Sequence, residues 1–248
     1  KARRLVLDID DAVHIQPPVT LRPPWAYLED RDQVLRLMNN ADLVFAGNRW
    51  LAGEVKAAGG KAEYVPTVVD TEHYVPASET KEGFRVGWIG SPSTCGQLSI
   101  VKDVLEGLQG AQTTLIGADR SVVDIQRAKY YGWSRAEELK HIQSFSVGIM
   151  PLEKSKWGQG KCALKALLYM ACGVPCVATR FGSVEEMIEH NVNGLFADSD
   201  AEWAEAIEQL RDPDERRRLG DAGRRTVEAN YSVEHLAPRY AELLKGLG

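Results

Sequence analysis

Apolar runs alternate with helical stripes along most of the chain, and the clearest unit lies between Ser146 and Phe196. Val147–Met150 is an unbroken apolar run of the kind found in strands buried on both faces. A glycine-containing loop, Pro151–Gly160, leads to a predicted helix over Lys161–Cys172 and a second buried strand over Val174–Ala178. Leu164, Leu167, Leu168 and Ala171 fall at i, i+3, i+4 and i+7 and define the expected core stripe of that helix. Strand, helix and strand in this order predict a right-handed crossover in a parallel sheet. Ligands of such sheets bind beyond the carboxyl ends of the strands, here near Pro151 and Thr179.

The first seventy residues repeat the alternation on a smaller scale. Arg3–Ile9 reads as a strand, followed by a loop holding Pro17, Pro18, Pro23 and Pro24 and a helix over Tyr27–Asn40. Strand Asp42–Ala46, helix Arg49–Ala58 closed by Gly59–Gly60, and strand Ala62–Val65 complete a β-α-β-α-β series. That is short of a full sheet of about five or six strands. The opening strand has internal character, so this segment is expected to be the back half of a larger domain.

The polar stretch Asp70–Gly83, with Pro76, reads as a domain joint. A new series follows: strand Phe84–Ile89 ending at Gly90, a helix with Leu98, Val101, Leu105 and Leu108 on one face, and strands Thr113–Ile116 and Ala128–Tyr131. Ser134 with Glu137, and Ser199 with Glu202, have the spacing of capping boxes. The second box opens a helix with Trp203, Ile207 and Leu210 facing inward. Asp212–Pro213 starts another helix, and a last one begins near Ser232 with Leu236, Tyr240 and Leu243.

Composition narrows the class. The 248 residues are 44% hydrophobic and 26% charged, as in a soluble globular protein. A net charge of -5 argues against a general nucleic-acid surface. No apolar run approaches the roughly 20 residues of a membrane span. Lys1–Arg4 runs straight into a strand rather than a signal peptide. Cys95, Cys162, Cys172 and Cys176 lack metal-site spacing, so no zinc site and reduced thiols in a cytoplasmic protein are expected.

Charge then singles out one corner. Lys161 and Lys165 stand one turn apart at the start of the predicted helix, with Tyr169 continuing their line. They repel each other and oppose the helix dipole, each at a few tenths of a kcal/mol when exposed. The preceding Gly158, Gln159 and Gly160 supply no compensation. A bound anion reverses both penalties. Two readings stand: a phosphate or diphosphate cradle, or two solvated lysines.

Gly90-Ser91-Pro92-Ser93-Thr94 falls at the same sheet edge. It lacks the GxGxxG and P-loop spacings, and reads either as a secondary phosphate-binding loop or as a tight turn with a hydroxyl cap. Trp133, Trp157 and Tyr169 could line a base or sugar pocket or belong to the core. Asp8, Asp10 and Asp11 end the first strand, with His14 nearby. Three uses of these acids compete. They could act on a reacting hydroxyl, hold magnesium or form an aspartyl phosphate as in the haloacid-dehalogenase phosphatases, or cap loop N–H groups.

From Pro151 to Phe196 the sequence resembles the family-4 glycosyltransferases of the GT-B fold. The matching residues are Met170-Ala171-Cys172-Gly173-Val174-Pro175-Cys176-Val177-Ala178-Thr179, then Glu185-Glu186-Met187-Ile188, then Asn193-Gly194. Lys161 and Lys165 ahead of Tyr169-Met170-Ala171 resemble one branch of that family. Phe84–Gly90 resembles the strand opening the donor domain, Val65-Pro66-Thr67 with Asp70 the domain joint, and Asp8–Asp11 the loop facing the acceptor.

The resemblance implies an α/β GT-B fold of two Rossmann-like parallel-sheet domains, the N-terminal one incomplete. Residues 1–76 would be the acceptor-side back half, 77–231 the donor domain, and 232–248 a helix returning to the first domain. It implies sugar transfer with retention from a nucleotide diphosphate sugar to a glycan or lipid-linked acceptor, in polysaccharide biosynthesis, with no required metal or other cofactor. It implies a cytoplasmic location that includes peripheral association with the inner face of the membrane.

Asp10, Asp11, Lys161 and Lys165 become the expected catalytic residues. Gly90, Ser91, Pro92, Ser93, Thr94, Trp133, Pro151, Trp157, Gly158, Gly160 and Tyr169 join both lysines as donor-binding residues. Asp8, Asp11 and His14 fall on the acceptor side. The family usually carries two glutamates where this sequence has Gly160 and Leu168, and an arginine and a lysine where it has Ser91 and Gly96. Those departures shift phosphate binding toward Lys161 and Lys165. They also leave a nucleotide-sugar binding module without turnover as the rival reading, with the phosphatase using Asp8 and Asp10 behind it.

Overall fold

The computed structural model describes residues 4–15, 31–78 and 83–247. The expected proline loop and the opening residues of the expected Tyr27–Asn40 helix lie outside them. Two parallel sheets organise the described chain. The first holds β1 (Val6–Ile9), β2 (Leu43–Ala46) and β3 (Ala62–Tyr64) in that order, connected through α1 (Arg31–Asn40) and α2 (Arg49–Ala57). Every residue of β2 is buried, as a central strand covered on both faces requires.

The second sheet has the order β6-β5-β4-β7-β8-β9, all neighbours parallel. Its strands are β4 (Phe84–Ile89), β5 (Ala111–Ile116), β6 (Lys129–Tyr131), β7 (Val147–Met150), β8 (Cys176–Ala178) and β9 (Leu195–Phe196). From β4 the chain first winds outward through β5 and β6, then returns to β7 on the other side of β4 and winds outward through β8 and β9. The winding direction therefore reverses between β4 and β7. Such a switch point opens a crevice beyond the strand ends, here beside Gly90 and Pro151.

Alternation along these strands feeds two cores. Ile89, Ile116, Met150, Cys176 and Ala178 pack beneath α6 (Leu164–Ala171), α4 (Arg135–Gln143) and α9 (Pro213–Asn230). Val86, Trp88, Leu115, Val147, Ile149 and Val177 pack with Leu98 and Val101 and with Trp203, Ile207 and Leu210 of and just beyond α8 (Asp200–Gln209). The last helix, α10 (Val233–Lys245), leaves this body and covers the first sheet through Tyr240, Leu243 and the following Leu247. Its Tyr240 ring stands 4.4 Å from that of Phe45 on β2.

The caps explain several boundaries. Ser199 and Glu202 form a complete capping box on α8, Ser134 accepts from the Glu137 N–H on α4, and Asp212 with Pro213 opens α9. All four cysteines are free and buried.

Other expectations are corrected. The crossover helix begins at Leu164, not Lys161, because Ala163 sits in the left-handed region at φ 52° and breaks the turn before it. Leu164 is consequently 47% exposed, while Leu167, Leu168 and Ala171 are buried. The expected loop Pro151–Gly160 contains one helical turn, α5 (Lys156–Gln159), capped by the Ser155 side chain. The helix expected after Gly96 is a 3-10 segment, Cys95–Val101, running into α3 (Lys102–Gly107), and it still buries Leu98, Val101 and Leu105. The short α7 (Val184–Met187) and β9 lack a periodic signal long enough to read.

Candidate functional site

The crevice beyond β4 and β7 is walled by loops from both sheets. Lys161 lies before α6 rather than on it, and its Nζ is 2.8 Å from Asp11 Oδ1 and 2.9 Å from Asp11 Oδ2. The same ammonium stands 4.7 Å over the Trp157 ring. The residues just ahead of this lysine offer it no compensation, but a carboxylate 150 positions away does. Both side chains are only partly exposed, so solvent screens the pair less than a surface bridge.

Lys165, in the first turn of α6, has a different environment. Its Nζ lies 5.4 Å from the centroid of the Trp88 ring, and among the described residues no carboxylate oxygen pairs with it. Its stem lies against Gly90: a Cβ there would come within 2.8 Å of Lys165 Cε. Desolvation, reinforced by the positive charge of Lys161, pushes its pKa down from 10.5 to about 8, with Asp11 opposing. A depressed ammonium beside an uncapped helix start is an anion-favouring arrangement.

The Gly90–Thr94 loop meets that corner but spends its polar groups on itself. Ser91 Oγ is 2.8 Å from Ser93 Oγ, the Thr94 hydroxyl donates to Ser91 O, and the Ser91 N–H donates to Thr94 Oγ1. Gly117 packs on this loop at φ 74°, where a Cβ would stand 2.1 Å from Gly90 O. Trp133 flanks Gly117, is 54% exposed and donates its indole N–H to Glu138. Pro151 is buried at the end of β7, and the Leu152 N–H donates to Thr179 Oγ1, closing the crevice floor.

The facing loop of the first sheet makes tight backbone contacts. Gly160 lies on Ala12, and Gly158 packs against Glu153 O and the Phe181 ring. The three acids diverge in their partners. Asp11 reaches Lys161, Asp8 accepts from Tyr240 Oη at 3.1 Å, and Asp10 is exposed. Asp8 and Asp10 line a cavity of about 650 Å³ whose other walls include Val65, Val68, Val233 and Leu236. His14 turns away to Glu54, at 3.3 Å, and stacks on Trp50.

Tyr169 is a correction. It is fully buried, its oxygen accepts from the Ile89 N–H at 3.0 Å, and its hydroxyl points to Ile149 O, so it braces β4 and β7 instead of lining a ligand pocket. Helical spacing put it in line with the lysines, but α6 turns that face into the sheet. Sequence reasoning also missed Asn48, Ser183 and Trp88, which shape the same corner. Asn48 precedes a helix and carries the signal of an N-cap; its second role, described below, has no local signal.

The family model described as Glycosyl transferases group 1 matches residues 86–212, just over half of the chain. The chain belongs to this family. As a group 1 glycosyl transferase it is 24% identical to the GDP-mannose-dependent alpha-(1-6)-phosphatidylinositol monomannoside mannosyltransferase of Mycobacterium tuberculosis (strain CDC 1551 / Oshkosh), over 90% of this chain and 66% of that protein. It is 33% identical to the N-acetyl-alpha-D-glucosaminyl L-malate synthase of Bacillus anthracis, over 37% of this chain and 24% of that protein. The chain thus spans from a quarter to two thirds of these relatives' lengths.

Among solved structures, Anabaena Alr3699/HepE in complex with UDP-glucose superposes with a TM-score of 0.78 at 19% identity, covering 98% of this chain and 72% of that one. Sucrose-phosphate synthase from Thermosynechococcus elongatus gives 0.79 at 19% identity, covering 98% and 67%. At that identity the likeness shows the fold, the α/β parallel-sheet arrangement of the GT-B glycosyltransferases.

Among the described residues no group of three or more His, Cys, Asp or Glu side chains is arranged to hold a metal ion, and no helix is long and apolar enough to cross a membrane.

Proposed function

We propose that this chain carries the donor site and the facing wall of the acceptor site of a retaining, metal-independent glycosyltransferase. On this reading residues 77–231 bind a nucleotide diphosphate sugar, 1–76 face a glycan or lipid-linked acceptor, and 232–248 tie the two together. One observation carries it: Lys165, partly buried and without a carboxylate partner among the described residues, stands with Lys161 at an uncapped helix start beside the switch-point crevice.

The chemistry follows from charge. Cleaving the sugar–phosphate bond builds positive charge at the anomeric carbon and negative charge on the departing diphosphate. Two ammonium groups and free helix N–H groups, held in place beforehand, stabilise that leaving group more than the ground state. An arriving diphosphate competes with Asp11 for Lys161, and the displaced carboxylate then faces the incoming hydroxyl. Asp8 and Asp10 lie beyond it, toward the cavity under α10.

A second reading, nucleotide-sugar binding without turnover, is favoured by Gly160 and Leu168. Gly160 is packed on Ala12 and Leu168 is buried, so neither position offers a carboxylate to the donor sugar.

Titration with UDP, GDP, UDP-glucose and GDP-mannose, with magnesium and with EDTA, tests the donor site. The reading expects one nucleotide series to bind in EDTA and to lose affinity in Lys161→Ala and Lys165→Ala. Turnover with an acceptor separates transferase from binder. Magnesium-dependent hydrolysis of a simple phosphate ester that needs Asp8 overturns both.

A further inference from the structure

Asn48 is 1% exposed and makes hydrogen bonds to both halves of the molecule at once. Its Oδ1 accepts from the Leu51 N–H at 2.7 Å, the N-cap bond that starts α2 in the first sheet's layer. Its Nδ2 donates to Gln159 O at 3.0 Å and to Lys161 O at 3.2 Å, across the crevice. The orientation of the amide is set by these partners, because only oxygen can face the N–H and only nitrogen can face two carbonyls. Around it the fit is close. A Cβ on Gly47 would stand 2.6 Å from Cys162 Sγ, and Ser183 Oγ donates to the same Lys161 carbonyl. The left-handed Ala163 then turns the chain from this clamp into α6, two residues before Lys165.

We propose that Asn48 is a positioning residue: its buried amide fixes the backbone of Lys161, so that the first half of the molecule sets the phosphate-binding corner of the second. The inference rests on the donor site proposed above and goes beyond it by assigning control of that site to a residue that touches no donor. Helix capping alone needs only the oxygen of Asn48. The nitrogen serves the Lys161 loop, and the two roles can be separated by chemistry.

Asn48→Ser and Asn48→Asp both keep an oxygen that can cap α2. Both remove the amide nitrogen that donates to Gln159 O and Lys161 O; the shorter serine side chain keeps a single hydroxyl donor, and the aspartate sets a carboxylate against two carbonyl oxygens. Calorimetric titration of the full chain with UDP and GDP, alone and on a Lys161→Ala background, tests the inference. For the nucleotide that binds the wild type, Asn48→Ser is expected to weaken binding about tenfold and Asn48→Asp more. On the Lys161→Ala background Asn48→Ser is expected to cost less than twofold, because its effect passes through Lys161.

Unchanged affinity in Asn48→Ser, measured well below its thermal midpoint, overturns the inference, as does an equal loss on both backgrounds. Either result leaves the donor site standing if Lys161→Ala itself weakens binding. If Lys161→Ala binds like the wild type, or neither nucleotide binds at all, the donor site falls and the inference with it.

Discussion

Gly160 lies so close to Ala12 that a Cβ on it would stand 2.4 Å from the Ala12 methyl and 2.8 Å from the Ala12 nitrogen. The loop ahead of α6 and the loop after β1 are thus in backbone contact, with the Asp11–Lys161 pair beside it. Gly160 has an ordinary right-handed conformation, at φ -75°, so a side chain there is opposed by space alone.

Gly160→Ala is therefore expected to destabilise the chain by about 1–3 kcal/mol, the usual range for overpacking. For a chain of this size that is a drop of roughly 2–12 °C in thermal midpoint. Adding Ala12→Gly removes the closest atom but not the backbone, and should recover part of the loss. A wild-type midpoint in Gly160→Ala would show that the two loops are not in contact.

Lys165 makes nucleotide binding depend on pH in a definite direction. Its free-state pKa is held down to about 8, and a bound diphosphate favours the ammonium and raises it. Binding then takes up a proton above that pH, and affinity falls as pH rises through 8, by up to about tenfold per unit. Calorimetry at pH 8 in buffers of different ionisation enthalpy should show uptake of about half a proton. Lys165→Met should abolish that uptake; its persistence in this variant would assign the proton elsewhere.

Tyr169→Phe separates bracing from binding. The variant leaves the Ile89 N–H without its acceptor inside the core, a loss of about 1–3 kcal/mol. A lower thermal midpoint with unchanged nucleotide affinity is the expected outcome. Unchanged stability with weakened binding would return Tyr169 to the pocket.

Much of the frame was legible because buried parallel strands announce themselves. Phe84–Ile89 and Val147–Met150 were bounded correctly, and the oxygen-bearing caps at Ser134, Ser199 and Asp212 appeared where spacing placed them. The corner itself was only half legible. Periodicity put Lys161, Lys165 and Tyr169 on one line, but it does not mark where a helix begins. That point is set at Ala163, after a clamp from Asn48 and Ser183 that are distant in sequence. The partner of Lys161 is distant as well, so its charge looked uncompensated. Leu164 matched the core stripe by spacing, yet at the first helical position it faces outward.

The most direct test of the account is the affinity of UDP and GDP for the wild-type chain and for Lys165→Met, measured side by side in EDTA. The account predicts metal-free binding of one nucleotide by the wild type. It also predicts a loss of about tenfold or more in the variant, the scale of a hydrogen bond to a charged group. Equal affinity in the two proteins, or binding that appears only with magnesium, would contradict it.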